Sequence, residues 1–356
     1  MRSKRWVKGW LLFFGIIPIV AVINFAVDPF SVFQTHVLKR DFQINERFLK
    51  IRYLENHHQK FDSYMFGSSR IATTEPAVIE KYLPGAHFYN MTCADANLYD
   101  YLLHLKYFLK EHYKIKNIYM QIDIGDMFSY GQNGSDYMRK FHPDVTGGSL
   151  TRFYVGYLLG YFPQNVIGKI EQNIEKRNGY EYHWDRGTWS EPEKEKEILE
   201  DCSEYVLHEP TFHAKQKRMK RFSTIDKSIQ ALKEICDLCD KNGIKLYLFT
   251  TPHNKNMMDS FDTEDYLTFL TRLAEVRDYY DFSGYNTVTL DDCNHYESSH
   301  YRPIVGQMIA ARIFRDTTVP LPADFGFLVT KRSVDGHIEK LRKQIENYDR
   351  SRLEKR

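Results

Sequence analysis

The sequence predicts an α/β protein with a parallel sheet, an inserted cap region and one N-terminal transmembrane helix. Three observations predict it. Strand-length runs at 63–66, 87–91, 117–122 and 245–249 alternate with longer segments of helical periodicity, the rhythm of parallel strands joined by crossover helices. The run Asn117 to Ile122 is nearly continuous in apolar side chains, as a strand covered on both faces should be. Finally, Trp10 to Val27 is an 18-residue stretch without a charged side chain, at the short end of what spans a bilayer.

The N-terminal segment, 1–30, is expected to be a basic cytoplasmic end followed by the anchor. Arg2, Lys4, Arg5 and Lys8 precede the apolar run, so the positive-inside rule puts the N-terminus in the cytoplasm and the rest outside a cytoplasmic (inner) membrane crossed once. A cleaved signal peptide is the competing reading, but no small-residue cleavage pattern follows the run. Pro18 can kink the helix, which a bilayer tolerates. Residues 31–62 read as a membrane-proximal connector, with a short helix over 45–54.

The main body is expected over 63–320. Ser63 to Phe66 is its first strand, and Glu75-Pro76 opens a helix, since proline suits a first turn. His87 to Met91 follows as a strand, Leu98 to Tyr113 as an amphipathic helix, and Asn117 to Ile122 as a strand ending at Asp123. The helix Thr224 to Asn242 stops at Gly243. Lys245 to Phe249 is the next strand, with Pro252 and His253 at its carboxyl edge, and Val276 to Phe282 supplies a fifth. Between them, about 129–222 breaks the rhythm with glycine turns, an aromatic segment and a charged run, and reads as an inserted cap shaping the site. Beyond 320, a charged helix over 335–352 reads as a surface helix or partner contact.

The balance of 49 basic and 47 acidic side chains, a net charge of +2, creates no field that points to nucleic acid. The basic run from His213 to Arg221 reads first as a solvated face, with anionic polymer or lipid headgroups as the sharper alternative. Five cysteines leave at least one unpaired; Cys236 and Cys239 have redox spacing but fall in a helical apolar pattern, where buried core residues are expected. No cofactor motif and no zinc-site spacing occurs, so neither a cofactor nor a metal is expected.

Two stretches carry chemistry. In Tyr64-Met65-Phe66-Gly67-Ser68-Ser69-Arg70 a strand ends in a glycine and two serines before a helix, at the sheet edge where α/β proteins place their ligands. Taken as a bare tripeptide, Gly-Ser-Ser is a helix cap. Near the far end, Asp291 to Pro303 precedes an apolar helix and holds two acid-x-x-histidine pairs, Asp292 with His295 and Glu297 with His300. Either could give a distant serine its base and the orienter of that base. Spacing and acid type alone favour the first pair. A metal-dependent hydrolase using Asp291, Asp292 and His295 is a further reading, without a ligand set elsewhere.

Together these blocks resemble the SGNH (GDSL-like) hydrolase superfamily, whose serine lies in a Gly-Asp-Ser-type block near the domain start and whose Asp-x-x-His block closes it. The closer resemblance is to a membrane-anchored branch that acylates surface polymers, including alginate O-acetylation proteins and the D-alanyl transfer protein of teichoic acid synthesis. The Gly67-Ser68-Ser69 motif, the Asn24 to Phe30 stretch and Tyr301-Arg302-Pro303 after His300 carry that likeness. It implies an SGNH-like three-layer fold and a triad of Ser69 as nucleophile, His300 as base and Glu297 as orienter.

It further implies that Ser68, Arg70, Asn90, Cys93, Asp123 and His253 form the oxyanion or substrate-binding surroundings. Several positions depart from the pattern. Glu297 replaces the usual aspartate, Cys93 stands near the oxyanion glycine, Asn90 is a substitute amide donor, and Asp123 falls where an asparagine block is usual. The implied function is an extracytoplasmic serine acyl-ester enzyme, an O-acyltransferase or esterase, acting on a cell-surface polysaccharide with a membrane-bound acyl-donor protein as a possible partner. The alternative is a non-catalytic membrane component of a polysaccharide modification or assembly system.

Overall fold

A computed structural model describes residues 2–127, 130–131, 136–175, 180–218 and 224–354, without side chains at 2–14, 126–127 and 350–354. Its strands are β1 (Ser63–Phe66), β2 (Phe88–Asn90), β3 (Asn117–Ile122), β4 (Glu181–His183), β5 (Thr188–Ser190), β6 (Lys245–Thr250), β7 (Tyr279–Asp281), β8 (His295–Glu297), β9 (His300–Tyr301) and β10 (Phe327–Val329). Six of them form one sheet in the order β10-β7-β6-β3-β1-β2. Pairing is parallel from β2 to β7, and β10 closes the edge antiparallel to β7. The other four form two small hairpins, β4 with β5 and β8 with β9.

Side chains alternate across this sheet, as strand geometry requires. Met65, Tyr119 and Phe249 face a core shared with Ile79 of the helix Pro76–Glu80 and with Val305 and Ile309 of the helix Pro303–Ile313. Tyr64 and Phe66 face the other way, onto Phe108 and Tyr101 of the helix Leu98–Lys110. Both faces are therefore covered, giving a mixed α/β, three-layer arrangement around a mostly parallel sheet. The capping box at Asn97 and Asp100 starts the helix Leu98–Lys110 by satisfying two orphan N–H groups at its N-terminus.

Several elements differ from expectation. Residues 263–276 form a helix, so the strand expected from Val276 begins only at Tyr279. The expected charged helix is present as Val334–Glu354, and one side of it is packed: Val334, Leu341 and Ile345 are buried, and His337 Nε2 lies 2.6 Å from the buried Asp281 carboxylate. In the basic run, Arg218 makes a two-pronged pair with Asp349 of that helix at 2.8 Å; Lys220 and Arg221 lie outside the described residues.

Contacts divide the chain into two compact units, one of Met1–Asn56 with Gln132–Glu181 and one of His57–Gly131 with Tyr182–Arg356. The expected cap at 129–222 is thus shared between them, because its second half is tied to the sheet-bearing unit by contacts described below. In the smaller unit, residues Arg2–Val27 form one helix of 26 residues. Among the described residues no helix is long and apolar enough to cross a membrane; the side chains of 10–14, within the expected span, lie outside those described. The unit's core is aromatic, with Phe30 against Tyr137, Tyr157 and Phe162 at ring distances of 5.0 to 6.4 Å.

Candidate active site

The carboxyl ends of β1, β2, β3 and β6 bring Ser69, Cys93, Asp123 and His253 to one edge of the sheet. Gly67 is needed there for close packing: a Cβ at this position would stand 2.4 Å from Ile71 Cγ2, inside any van der Waals contact. The chain can then turn directly into the short 3-10 segment Ser69–Ile71. Ser69 is its first residue, so its N–H has no partner within the turn.

Ser69 Oγ lies 2.8 Å from Nε2 of His300, on β9 of the second hairpin. Nδ1 of the same ring is bonded to the Glu297 carboxylate on β8. Ser299 steadies that carboxylate from the hairpin turn, its N–H at 2.9 Å and its hydroxyl at 3.1 Å. Burial alone would raise the Glu297 carboxyl, but the bond and charge of His300 and the Ser299 donors outweigh it and hold the group down at about 2. An ionised Glu297 accepts the Nδ1 proton. That leaves Nε2 as the acceptor and the Ser69 hydroxyl as the donor, the polarity a general base needs.

The rival pair is not at this site. His295 is fully buried with its ring between two backbone carbonyls, Pro252 O at 3.2 Å and Asp291 O at 3.3 Å. Asp292 pairs with Lys255 at 2.5 Å and accepts from Asn254 at 2.8 Å, while Asp291 caps the Cys293 N–H. Each group of the metal reading therefore has a structural use. Among the described residues, metal-type donors converge elsewhere, at Glu55, His142 and Asp144. There His142 Nδ1 accepts the Asp144 N–H at 3.3 Å, which leaves the proton on Nε2, facing Glu55.

A second charged cluster lies beside the serine. Arg70 Nη1 and His253 Nε2 both stand 3.1 Å from Oδ2 of the buried Asp123, and the Gly125 N–H donates to Oδ1 at 2.7 Å. Burial would raise Asp123, yet Arg70 and His253 together hold it well below the usual carboxylate range. Burial pushes His253 down, against the pull of Asp123. Its Nδ1 is buried without a hydrogen-bond partner among the described residues. Arg70 also donates to Ser68 Oγ at 3.4 Å, so Ser68 turns toward the guanidinium while Ser69 meets the imidazole.

Two expected oxyanion contributors have other work. Asn90 is fully buried, and its amide donates to Ile71 O and Thr74 O at 3.3 Å while its oxygen accepts from Thr92 N–H and Oγ1. It fastens the turn after Ser69. The Cys93 N–H is spent on Gly67 O at 3.3 Å, and its thiol is buried. The bonds to Ile71, Thr74 and Gly67 join separate segments of the chain, so spacing could not reveal them.

The sequence also left unassigned the residues that brace the histidine hairpin. Trp189 on β5 is edge-on to the His300 ring at 5.8 Å, and its N–H bonds Ala72 O just after the serine turn. From the helix Pro192–His208, Glu195 takes Arg302 in a two-pronged pair at 2.5 and 3.0 Å. Arg302 Nη1 also bonds Cys293 O at 2.7 Å. Cys202 of that helix is joined to Cys293 by a disulfide. Cys236 and Cys239 are buried in the helix Ile225–Lys241, and burial raises both thiols, Cys239 to about 12, which keeps them protonated.

Chain comparison adds no assignment: no protein-family model and no curated protein matches this sequence.

Proposed function

We propose that this chain is a membrane-anchored, extracytoplasmic serine acyl-ester enzyme of SGNH-like fold, an O-acyltransferase or esterase acting on a cell-surface polysaccharide. The observation that carries the reading is the relay from Ser69 Oγ through both nitrogens of His300 to Glu297. A serine hydroxyl needs such a base to attack at neutral pH. In the first half-reaction Ser69 Oγ bonds the ester carbonyl carbon as its proton passes to His300 Nε2. The tetrahedral oxyanion then collapses, the C–O bond to the leaving alcohol breaks, and His300 returns the proton to that alcohol. The acyl group now rests on Ser69. Water or a sugar hydroxyl then attacks the acyl carbon as its proton passes to His300, the acyl C–Oγ bond breaks, and His300 returns the proton to Ser69 Oγ. Hydrolysis and transfer differ only in that acceptor.

With Asn90 and Cys93 otherwise engaged, the Ser69 N–H is the candidate oxyanion donor, and Arg70, held by Asp123, is the neighbouring cation. The anchor and its orientation rest on the charge-free run and the basic residues before it. The Cys202–Cys293 disulfide favours an oxidising compartment for the sheet-bearing unit. Acyl donation by a membrane-bound partner remains part of the same reading.

The test is covalent. A fluorophosphonate should label the purified full chain at Ser69, identified by peptide mass, and p-nitrophenyl acetate should be hydrolysed with matching inhibition. No labelling and no hydrolysis, in a protein still needed for polymer acylation in cells, would favour the non-catalytic reading. The occupied Asn90 and Cys93 donors are the observation on its side.

A further inference from the structure

The smaller unit carries a helix built inside out. In Pro163–Ile174, Lys169 is 3% exposed, and its ammonium donates to Asp28 O at 2.7 Å and to Ser31 Oγ and Asp41 Oδ1 at 3.1 Å. On the same inner side, Asn173 exchanges bonds with the Arg40 backbone at 2.8 and 2.9 Å, and Asn165 meets Gln43 at 2.5 Å. The outer side presents isoleucines: Ile167 is 53% and Ile174 is 73% exposed, with Ile170 between them. Their spacing of three and four residues puts them on one face. A helix bathed in water does the reverse, turning isoleucine in and lysine out.

What surrounds that face is indicated by its neighbours. This helix and the preceding one, Leu150–Leu159, both pack on the helix Arg2–Val27. Asn24, near the end of that long helix, donates its amide to Leu158 O at 2.9 Å and Gly160 O at 2.8 Å. The turn between the two shorter helices is therefore fastened where the charge-free run ends. Along that run Ile16, Ile19 and Val22 are exposed as well, and so are Val155 and Leu159 on the middle helix. At the turn itself Tyr161 is 86% exposed, the residue type favoured where lipid meets water. Gln164 and Glu171 border the isoleucines, a polar edge that suits an in-plane helix at the interface better than one within hydrocarbon.

We propose that the helices Leu150–Leu159 and Pro163–Ile174 form an in-plane platform whose isoleucine face rests in the outer interfacial layer of the bilayer that the N-terminal helix enters. The platform rests on reading that helix as the anchor. It would hold the unit at a set depth by an apolar face as well as by a single span.

The full chain is reconstituted in nanodiscs of phosphatidylethanolamine and phosphatidylglycerol, with an NBD label on one introduced thiol at a time. Its own cysteines are buried or in the disulfide. Labels at Ile170→Cys and Ile174→Cys should emit at shorter wavelength than one at the exposed Leu199→Cys. Doxyl groups on the lipid chains should quench them several-fold more than aqueous iodide does. If both labels stay in water while Ile19→Cys is quenched by lipid, the platform is overturned and the anchor stands. If Ile19→Cys is also in water, both readings fall. Blue-shifted labels that resist lipid quenching, together with cross-linking between Ile170→Cys copies, would overturn lipid in favour of a second copy of the chain.

Discussion

Replacing Glu297 by glutamine keeps the shape of the side chain but removes its charge, which isolates what the carboxylate does for His300. In the native protein the carboxyl is held at about 2 against an ordinary value of about 4.5. At 1.36 kcal/mol per pH unit, that gap corresponds to about 3 kcal/mol of preference for the ionised form. His300 supplies the largest stabilising part and Ser299 the rest. That net preference, left after burial has been offset, sets the scale of what the Glu297 charge contributes at this site, on the order of a hundredfold in rate. A glutamine can also donate to Nδ1, which favours the unproductive tautomer and adds to the loss.

The expected result for Glu297→Gln is a fall in kcat/KM for p-nitrophenyl acetate of about 10² to 10⁴-fold, carried in kcat. The same carboxylate contributes to stability with a defined sign. Its folded value lies below its unfolded one, so its contribution is complete above about pH 4.5 and is lost as pH falls toward 2. Urea unfolding of the native protein between pH 6 and 3 should show a decline that Glu297→Gln lessens. Activity within threefold of native, in a folded variant whose Ser69→Ala counterpart is dead, would refute the assignment of Glu297 as orienter.

Ser69→Ala should cost about 10⁴-fold or more, whereas Ser68→Ala, which loses only a 3.4 Å contact with Arg70, should keep a measurable fraction; the reverse order in the same assay would overturn the register. His300→Ala should equal Ser69→Ala in severity and the double variant should be no worse, because residues acting as a unit are not additive. By contrast His295→Ala, which strands two buried carbonyl contacts, should lower unfolding stability by about 1–3 kcal/mol with kcat little changed; a dead, fully stable His295→Ala would reverse the choice of pair. Reduction of Cys202–Cys293, or its replacement by serines, should lower stability by about 2–4 kcal/mol and loosen the histidine hairpin next to Cys293; unchanged melting under reductant would remove the disulfide from the account.

The sequence by itself determined the elements whose signals are local. Strands 63–66 and 117–122 declared themselves by apolar continuity, the helix expected over 224–242 by its periodicity and following Gly243, and the end of the first strand by the abrupt change from Phe66 to Gly67-Ser68-Ser69. Order along the chain was enough, since parallel strands bring their carboxyl ends to one edge. Spacing could not separate His295 from His300, since both stand three residues after an acid; the likeness at Tyr301-Arg302-Pro303 pointed to His300, and the fold places that ring beside Ser69 and the other between two carbonyls.

The same holds for Asn90, whose amide is consumed by Ile71 and Thr74, and for Asp123, whose partners Arg70 and His253 come from other strand ends. The helix at 263–276, the edge strand β10 and the pairing of Cys202 with Cys293 were equally hidden. Hydrogen-bond satisfaction and burial are settled between residues tens to hundreds of positions apart. A local pattern can nominate a donor or an acid, but it carries no record of which partner reaches that group first in the folded chain.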